Sequence, residues 1–325
     1  MMAKRKRILI KGSVVLLGGI VLLWGLMVLF PAPFAKLMLA GVRASAGLEE
    51  KVIEMPFGSV RYLEGGSDSA EAPTIVLLHG IFARKEHWVD FTRALTGSYR
   101  VIVPDLPGFG DNEVLGEGAY TYAAQLDRLA ALLDELAPGV FHLVGNSMSG
   151  QLGGLYARQH PARLLSLALI GSPVGVTSPV PSDMERALVR GDKPLVVTTE
   201  EEFSTRMEWL FPDTPYIPGP VVRVWAKAEA ARGDANERIW AEVSGSNQVR
   251  LEALAPELRL PSFIFWCRED RVFHFTGAQV LSNLLPDVEL VSATGCGHVP
   301  MLDQPEKASQ AYRAFLDRQR APSDG

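Results

Sequence analysis

Gly145-Asn146-Ser147-Met148-Ser149-Gly150 follows an apolar run, Val140 to Val144, and opens a segment with helical spacing from about Met148 to Gln159. A strand that turns sharply into a helix through small residues crowds its own backbone and pushes the central side chain outward. Here that side chain is the Ser147 hydroxyl, which needs only an adjacent base to become a nucleophile. The usual Gly-x-Ser-x-Gly pattern is broken at its last position, because Ser149 stands where glycine normally allows close helix–strand packing. Serine is small enough for the turn to tolerate it. Short glycine and serine strings also occur by chance, so the meaning of this one depends on its surroundings.

Outward from the turn, strands are predicted on both sides of Phe57-Gly58, then over Thr74 to Leu78, Tyr99 to Val103, Leu164 to Ile170, Ser262 to Trp266 and Val288 to Val291. Helices are predicted from near Glu86, over Tyr120 to Leu136, and from Pro305 to about Asp317. Strands this uniformly apolar, alternating with helices, indicate a mostly parallel sheet covered on both faces. Reactive groups then belong at the carboxyl ends of the strands. The alternation breaks between Pro173 and Leu260, where Trp209, Trp225 and Trp240 sit among acidic helical segments and a Pro-rich stretch, Phe211 to Pro218. That segment reads as an inserted helical cap.

Two partners for Ser147 lie downstream. His298, in Gly295-Cys296-Gly297-His298-Val299-Pro300, follows the last predicted strand on a loop able to swing an imidazole toward the nucleophile. Asp270 follows the strand ending at Trp266, where its carboxylate can fix the tautomer and orientation of His298, with Glu269 as the rival acid. His79-Gly80-Ile81-Phe82 ends an earlier strand, and the N–H of Ile81 can pair with that of Met148 as an oxyanion hole. His79 is read as structural, Asp105 as a loop-fixing residue, and His87, His142, His160 and His274 as packing or surface groups.

Together Leu78-His79-Gly80, Asp105 to Gly110, Gly145 to Gly150, Trp266 to Val272, and Gly297-His298-Val299-Pro300-Met301 with Pro305-Glu306 resemble the lipase and esterase branch of the α/β-hydrolases. The likeness runs from about Val52 to Phe315 and is strongest to membrane-anchored bacterial lipases and phospholipases A and to membrane-bound monoacylglycerol lipases. It implies an α/β-hydrolase fold: a mostly parallel central sheet, helices on both faces and an inserted helical cap. The order Ser, Asp, His along the chain is the order of that fold. The implied activity is ester hydrolysis through an acyl-enzyme on Ser147, which calls for no metal and no organic cofactor. Carbon–carbon bond hydrolases, small-ester esterases and thioesterases share the pattern, and a non-catalytic, membrane-tethered lipid-binding protein on a hydrolase scaffold is the reading from another class. Epoxide hydrolases and haloalkane dehalogenases carry an aspartate at the elbow and are set aside.

Lys4-Arg5-Lys6-Arg7 precedes Ser13 to Phe30, a run without a charged residue, and Pro31 and Pro33 close it. A single transmembrane helix over 13–30 is predicted, with the basic end (1–12) in the cytoplasm and the catalytic region on the opposite face, the periplasm in a bacterium. A cleaved signal peptide is the alternative, but the best small-residue cleavage site, Ala44-Ser45-Ala46, is too far beyond Phe30. Residues 31–48 form a juxtamembrane segment, with Phe34 to Leu48 read as an interfacial or linker helix. The core follows in two parts, 49–173 and 261–320, around a cap at 174–260, with a tail at 321–325. Gly18, Gly19 and Gly25 make no GxxxG pair, so a homodimer through this helix is only a minor suggestion.

With 47% hydrophobic and 21% charged residues, the chain can bury one large core. The residues after Phe30 carry 27 basic against 37 acidic side chains, a formal charge of -10, which argues against a nucleic-acid partner. Cys267 and Cys296 are the only cysteines. They are expected to lie close together and unpaired, with a bridge as the alternative. Membrane lipids are the expected substrate: an anchored site meets them at high local concentration, and the cap is rich in Trp, Leu, Phe and Val. Phe82, Leu210, Phe211 and Trp225 are the residues expected to touch an acyl chain, while part of the cap's apolar surface forms its own core.

Overall fold

The computed structural model describes residues 17–69, 71–246 and 249–320. The strands are two half-exposed ones at one edge, β1 (Leu48–Met55) and β2 (Gly58–Gly66), and the more apolar β3 (Thr74–Leu78), β4 (Arg100–Pro104), β5 (Phe141–Gly145), β6 (Leu164–Ile170), β7 (Ser262–Cys267) and β8 (Val288–Ala293). They make one eight-stranded sheet in the order β1-β2-β4-β3-β5-β6-β7-β8. The pairs β1–β2 and β2–β4 are antiparallel, and the rest of the sheet is parallel.

Alternate residues of each central strand face opposite sides, as the pleat requires. Val76, Leu78, Leu143, Leu167, Leu169 and Ile264 point into one core layer, and Ile75, Leu77, Val144, Ala168, Phe263 and Phe265 into the other. Helices Tyr122–Leu136 and Met148–Gln159 cover the first face, and Pro305–Arg320 the second. Register aligns Leu78 with Gly145 and Gly145 with Leu169. The carboxyl ends of β3, β5 and β6 therefore finish side by side. Between β6 and β7 lie helices Asp183–Val189, Glu200–Leu210, Gly219–Ala230, Gly233–Ser244 and Leu251–Leu254. Capping boxes at Ser182/Glu185 and Thr199/Glu202 start the first two.

The helix expected from near Glu86 is instead a 3-10 turn, Lys85–Trp88, followed by a single helical turn, Val89–Thr92. Asp105 holds this entry: it accepts the Lys85 N–H at 2.7 Å, the Lys85 ammonium at 2.8 Å and the Asp111 N–H at 3.0 Å. Drawing Lys85 inward fixes the loop that follows β3 against the loop that follows β4.

The expected spanning helix is described only in part. Residues 1–16, with the basic cluster and the start of the apolar run, lie outside the described residues. Leu17–Leu29 is helical, and Pro31 begins a second helix, Pro31–Ser45, at a bend of 99°. Proline has no N–H to continue the first helix and a backbone angle suited to starting the next. Among the described residues no single helix is long and apolar enough to cross a membrane. Leu17, Leu22, Trp24, Leu29 and Phe30 are all exposed. Ala35, Met38 and Leu39 of the second helix pack on Val221, Trp225 and Ala226 of the cap.

His79 and His142 are buried histidines whose contribution to stability depends on pH. His79 is held neutral, its pKa lowered to about 4 chiefly by burial, with Arg84 and Lys85 adding to the effect. Burial, then Arg320, lowers His142 to about 4 as well. In the unfolded chain both titrate near 6.5, so between pH 6.5 and pH 4 the unfolded state binds more protons and stability rises with pH. The contribution is complete above pH 6.5 and is lost as pH falls to 4, on the order of 3 kcal/mol per histidine. Asp105 and Asp303, raised to about 6 chiefly by burial, bind protons in the folded state over the same range and oppose this effect, so the histidines are read directly: the His79 and His142 imidazole resonances should stay those of the neutral ring from pH 7 down to pH 5. Titration of either imidazole near pH 6.5 in the folded protein would show that it is not held neutral.

Candidate active site

Ser147 caps helix Met148–Gln159 with φ 55° and ψ -115°, a conformation that costs a non-glycine residue about 1–3 kcal/mol. The surrounding loops hold it there. A side chain at Gly145 would run into the Ser149 carbonyl, so only glycine fits where the strand ends. The buried Ser149 hydroxyl donates to the His79 carbonyl, which accounts for serine at the position where glycine is usual. The Asn146 amide donates to the Ile170 carbonyl at 2.8 Å and to the His298 carbonyl at 3.1 Å, tying elbow, β6 and histidine loop together.

His298 and Asp270 meet behind Ser147. His298 Nδ1 lies 3.0 Å from Asp270 Oδ2, and both side chains are buried. The other carboxylate oxygen accepts the N–H groups of Val272 at 2.8 Å and Phe273 at 3.1 Å, which fixes its plane. Glu269, the rival acid, turns away and accepts the Gly295 N–H at 3.1 Å in an exposed position. A residue that sequence reasoning missed completes the group. Ser172, two residues beyond β6, donates to Asp270 Oδ2 and sits 2.9 Å from His298 Nδ1. This network assigns the proton to Nδ1 and leaves Nε2 as the basic nitrogen. Ser147 and His298 line one cavity, although no hydrogen bond joins them among the described residues.

Ile81 lies on the same cavity wall, and the Met148 N–H is the first of its helix and has no intrahelical acceptor. The Met148 side chain is fully buried in the core. Phe82 adopts φ 53° beside Ile81, a second positive angle at a non-glycine residue. His79 holds this loop as a structural group: Nδ1 contacts the Gly80 carbonyl at 2.8 Å, and Nε2 accepts the Leu106 N–H at 2.9 Å.

Phe82, Leu210, Phe211 and Trp225 all line the Ser147 cavity, with Phe203, Met207 and Ile217. Others of the cap's apolar side chains serve elsewhere: Val221 is in the cap's own core, Trp209 lies under the Arg271 guanidinium, and Tyr216 is exposed. The Leu210 carbonyl accepts the His298 N–H at 2.8 Å, and the cap backbone comes so close that a side chain at Gly297 would strike it. The cavity encloses about 40 Å³.

The cavity also has a polar side absent from the sequence reading. Arg84, Arg206, Glu229 and His87 line it. Arg206 donates to Glu229 at 3.2 Å, and Arg84 lies over the Trp225 ring at 4.8 Å. His87, expected as packing or surface, is thus a wall residue; its Nδ1 is enclosed without a partner, and burial followed by Arg84 holds its pKa well below the usual value. His142 contacts the Ser166 hydroxyl, His160 stacks on Tyr156, and His274 contacts the Thr276 hydroxyl.

Cys267 and Cys296 form a disulfide, against the expectation of two free thiols. The register explains it: Cys267 pairs with Ala293, and the loop beyond β8 returns Cys296 to a Cα separation of 5.4 Å, within bridging range. The bond clamps the strand before Asp270 to the loop before His298. Closing a loop with a sequence separation of 29 is worth about 3–4 kcal/mol in the chain-entropy account. Intact mass after alkylation without reductant should show no adduct, and two after unfolding and reduction. Two adducts without reductant would contradict the bridge.

This assembly of strand ends has counterparts among known proteins. A family model described as "Alpha/beta hydrolase family" matches residues 75–311. The crystal structure of a membrane phospholipase A, described as a bacterial virulence factor, superposes with a TM-score of 0.85 at 35% identity, covering 95% of this chain and 99% of that one. Lipase 1 of Psychrobacter immobilis is 27% identical over 284 residues, 86% of this chain and 88% of its own length. A monoacylglycerol lipase of Homo sapiens is 24% identical over 254 residues, 75% of each chain. The matched region runs from Ile75 in β3 through β8 and includes the elbow at Ser147, so this chain belongs to the α/β hydrolase family and is a serine ester hydrolase.

Proposed function

We propose that Ser147, His298 and Asp270 are the catalytic triad of a membrane-anchored esterase that cleaves acyl chains from membrane lipids. The observation that carries this reading is the His298 imidazole, held through Nδ1 by Asp270 and Ser172, lining with its neighbour Ser147 a cavity walled by an apolar cap. Nε2 takes the Ser147 proton as the oxygen attacks the ester carbonyl, and the oxyanion is held by the N–H groups of Ile81 and Met148. His298 then passes the proton to the departing alcohol. Water, activated by the same nitrogen, releases the acyl group as a carboxylate. Both oxyanion donors are backbone groups, so no side-chain deletion removes them directly.

Lipid esters are favoured over small soluble ones by the apolar wall of Phe82, Leu210, Phe211 and Trp225, and by relatives named as lipases and a phospholipase A. The cavity of about 40 Å³ is small beside the ~300–1,000 Å³ of ligand-binding clefts, which supports reading the cap as a lid over Ser147. Residues 13–30 are read as the anchor. The disulfide supports an oxidising compartment for the catalytic region, on the face opposite the cytoplasm. The test is hydrolysis of phospholipids, lysophospholipids and monoacylglycerols in mixed micelles, followed by mass spectrometry. Leu210→Glu, Phe211→Asp and Trp225→Glu should each cut lipid turnover. Removing residues 1–30 should reduce activity on vesicles much more than on a short-chain chromogenic ester. Activity confined to soluble short-chain esters would end the lipid reading.

A further inference from the structure

A second cavity, of about 460 Å³, lies between helix Pro31–Ser45, the cap helix Gly219–Ala230 and the loop at Gly110-Asp111. It shares Arg84, Trp225 and Glu229 with the wall of the Ser147 cavity. Five cationic side chains line it, Lys36, Arg43, Arg61, Arg84 and Arg232, against three carboxylates, Glu50, Asp111 and Glu229.

The carboxylates are already engaged. Glu50 pairs with Arg43 at 2.9 Å and Lys85 at 3.2 Å, Asp111 with Lys85 at 2.6 Å and Arg84 at 3.3 Å, and Glu229 with Arg206 at 3.2 Å and Arg84 at 3.9 Å. Adding the charges behind the wall, Lys85 and Arg206 with Glu86 and Asp105, leaves seven positive groups against five negative. Lys36 and Arg61 have no carboxylate partner among the described residues, and Arg232 donates to the Asn112 carbonyl at 2.7 Å. Arg43 is buried, and its Nε is enclosed without an acceptor. This positive excess stands out in a region whose formal charge is -10. Glu50, Glu86 and Asp111 also lie close enough together to suggest a metal site, but the Lys85 ammonium lies within 3.3 Å of all three and supplies the cation.

We propose that this cavity binds a phosphate group, presented by a phospholipid headgroup at the membrane surface. Guanidinium and ammonium groups around one concave site match the charge and the acceptor oxygens of a phosphate. The location points to the lipid source. Ala32, Ala35 and Lys36, on the cavity wall, directly follow the exposed apolar residues Leu17 to Phe30, and Arg223 of the cap helix donates to the Val28 carbonyl at 3.2 Å. A headgroup held there lies against Arg84, Trp225 and Glu229, side chains that also line the Ser147 cavity. The phosphate chemistry rests on the cavity alone; its presentation by a lipid rests on the lipid-esterase reading.

The experiment uses the full chain in nonionic detergent, with the double variant Lys36→Gln/Arg61→Gln, whose two positions are exposed. Thermal unfolding is followed with glycerol 3-phosphate, inorganic phosphate or glycerol at matched ionic strength. Occupancy of the folded state raises Tm. Glycerol 3-phosphate should raise the Tm of the parent chain and not of the variant, while glycerol moves neither. In a parallel assay, the variant should show KM raised roughly tenfold for a lysophosphatidylglycerol, with kcat kept and kinetics on a monoacylglycerol of the same chain length unchanged. An equal Tm shift with inorganic phosphate in the parent chain marks free phosphate as a sufficient ligand, whereas the selective KM effect assigns the site to headgroups. No shift with either phosphate probe, or the same shift in the variant, overturns the site. A variant-sensitive shift in a chain that hydrolyses no phospholipid keeps the phosphate site and rejects its lipid source.

Discussion

Ser147→Ala is expected to lower ester hydrolysis by about 10⁴-fold or more with no loss of folded structure, and His298→Ala should do the same. The two changes act on one proton transfer: without the hydroxyl there is no nucleophile, and without the imidazole nothing removes its proton. Their effects should not add, and the double variant should be no slower than either single one. The strained backbone at Ser147 gives a separate readout. Its φ of 55° suits glycine, so Ser147→Gly should be inactive and yet more heat-stable than Ser147→Ala. Turnover within tenfold of normal in either single variant would remove Ser147 or His298 from the mechanism.

Asp270→Asn is the next largest effect, a loss on the order of 10⁴ in kcat. An asparagine amide facing Nδ1 donates where the carboxylate accepted, so it favours the tautomer with the proton on Nε2, which cannot take one from Ser147. The Val272 and Phe273 N–H groups still find the amide oxygen, so the loop should stay folded. Glu269→Gln should leave kcat within about twofold, since that side chain is exposed and touches only the Gly295 N–H. Ser172→Ala should fall between the two, because Asp270 keeps the imidazole's tautomer after one of its two contacts has gone. The opposite ranking of Asp270 and Glu269 variants would reassign the acid.

Much of the scaffold was legible because its signals are local. Runs such as Thr74 to Leu78 and Ser262 to Cys267 are apolar along nearly their whole length and too short for a helix, which reads as strands covered on both faces, with ends legible within a residue or two. The elbow was legible for the same reason, since its small residues answer a steric demand of the turn itself. Features made by the tertiary fold were not. Ser172 sits in an ordinary Gly-Ser-Pro turn and reaches Asp270 and His298 only because β6 ends beside β7. Arg206 and Glu229 lie on different cap helices and meet through a chain path that no periodicity encodes. The 3-10 turn at Lys85–Trp88 has no local signal, because it forms where Lys85 is drawn inward by Asp105, twenty residues away. The cysteines were read as neighbours from their strands, but the bridge depends on the return of the loop after β8, which has no pattern of its own.

The most direct measurement of the central claim is labelling of the purified full chain with a fluorophosphonate, followed by intact mass and peptide mapping. One adduct is expected, on Ser147, with loss of esterase activity in proportion to labelling and no labelling of Ser147→Ala or His298→Ala. Stoichiometric labelling of a different serine, or full esterase activity in protein whose Ser147 is fully modified, would contradict it.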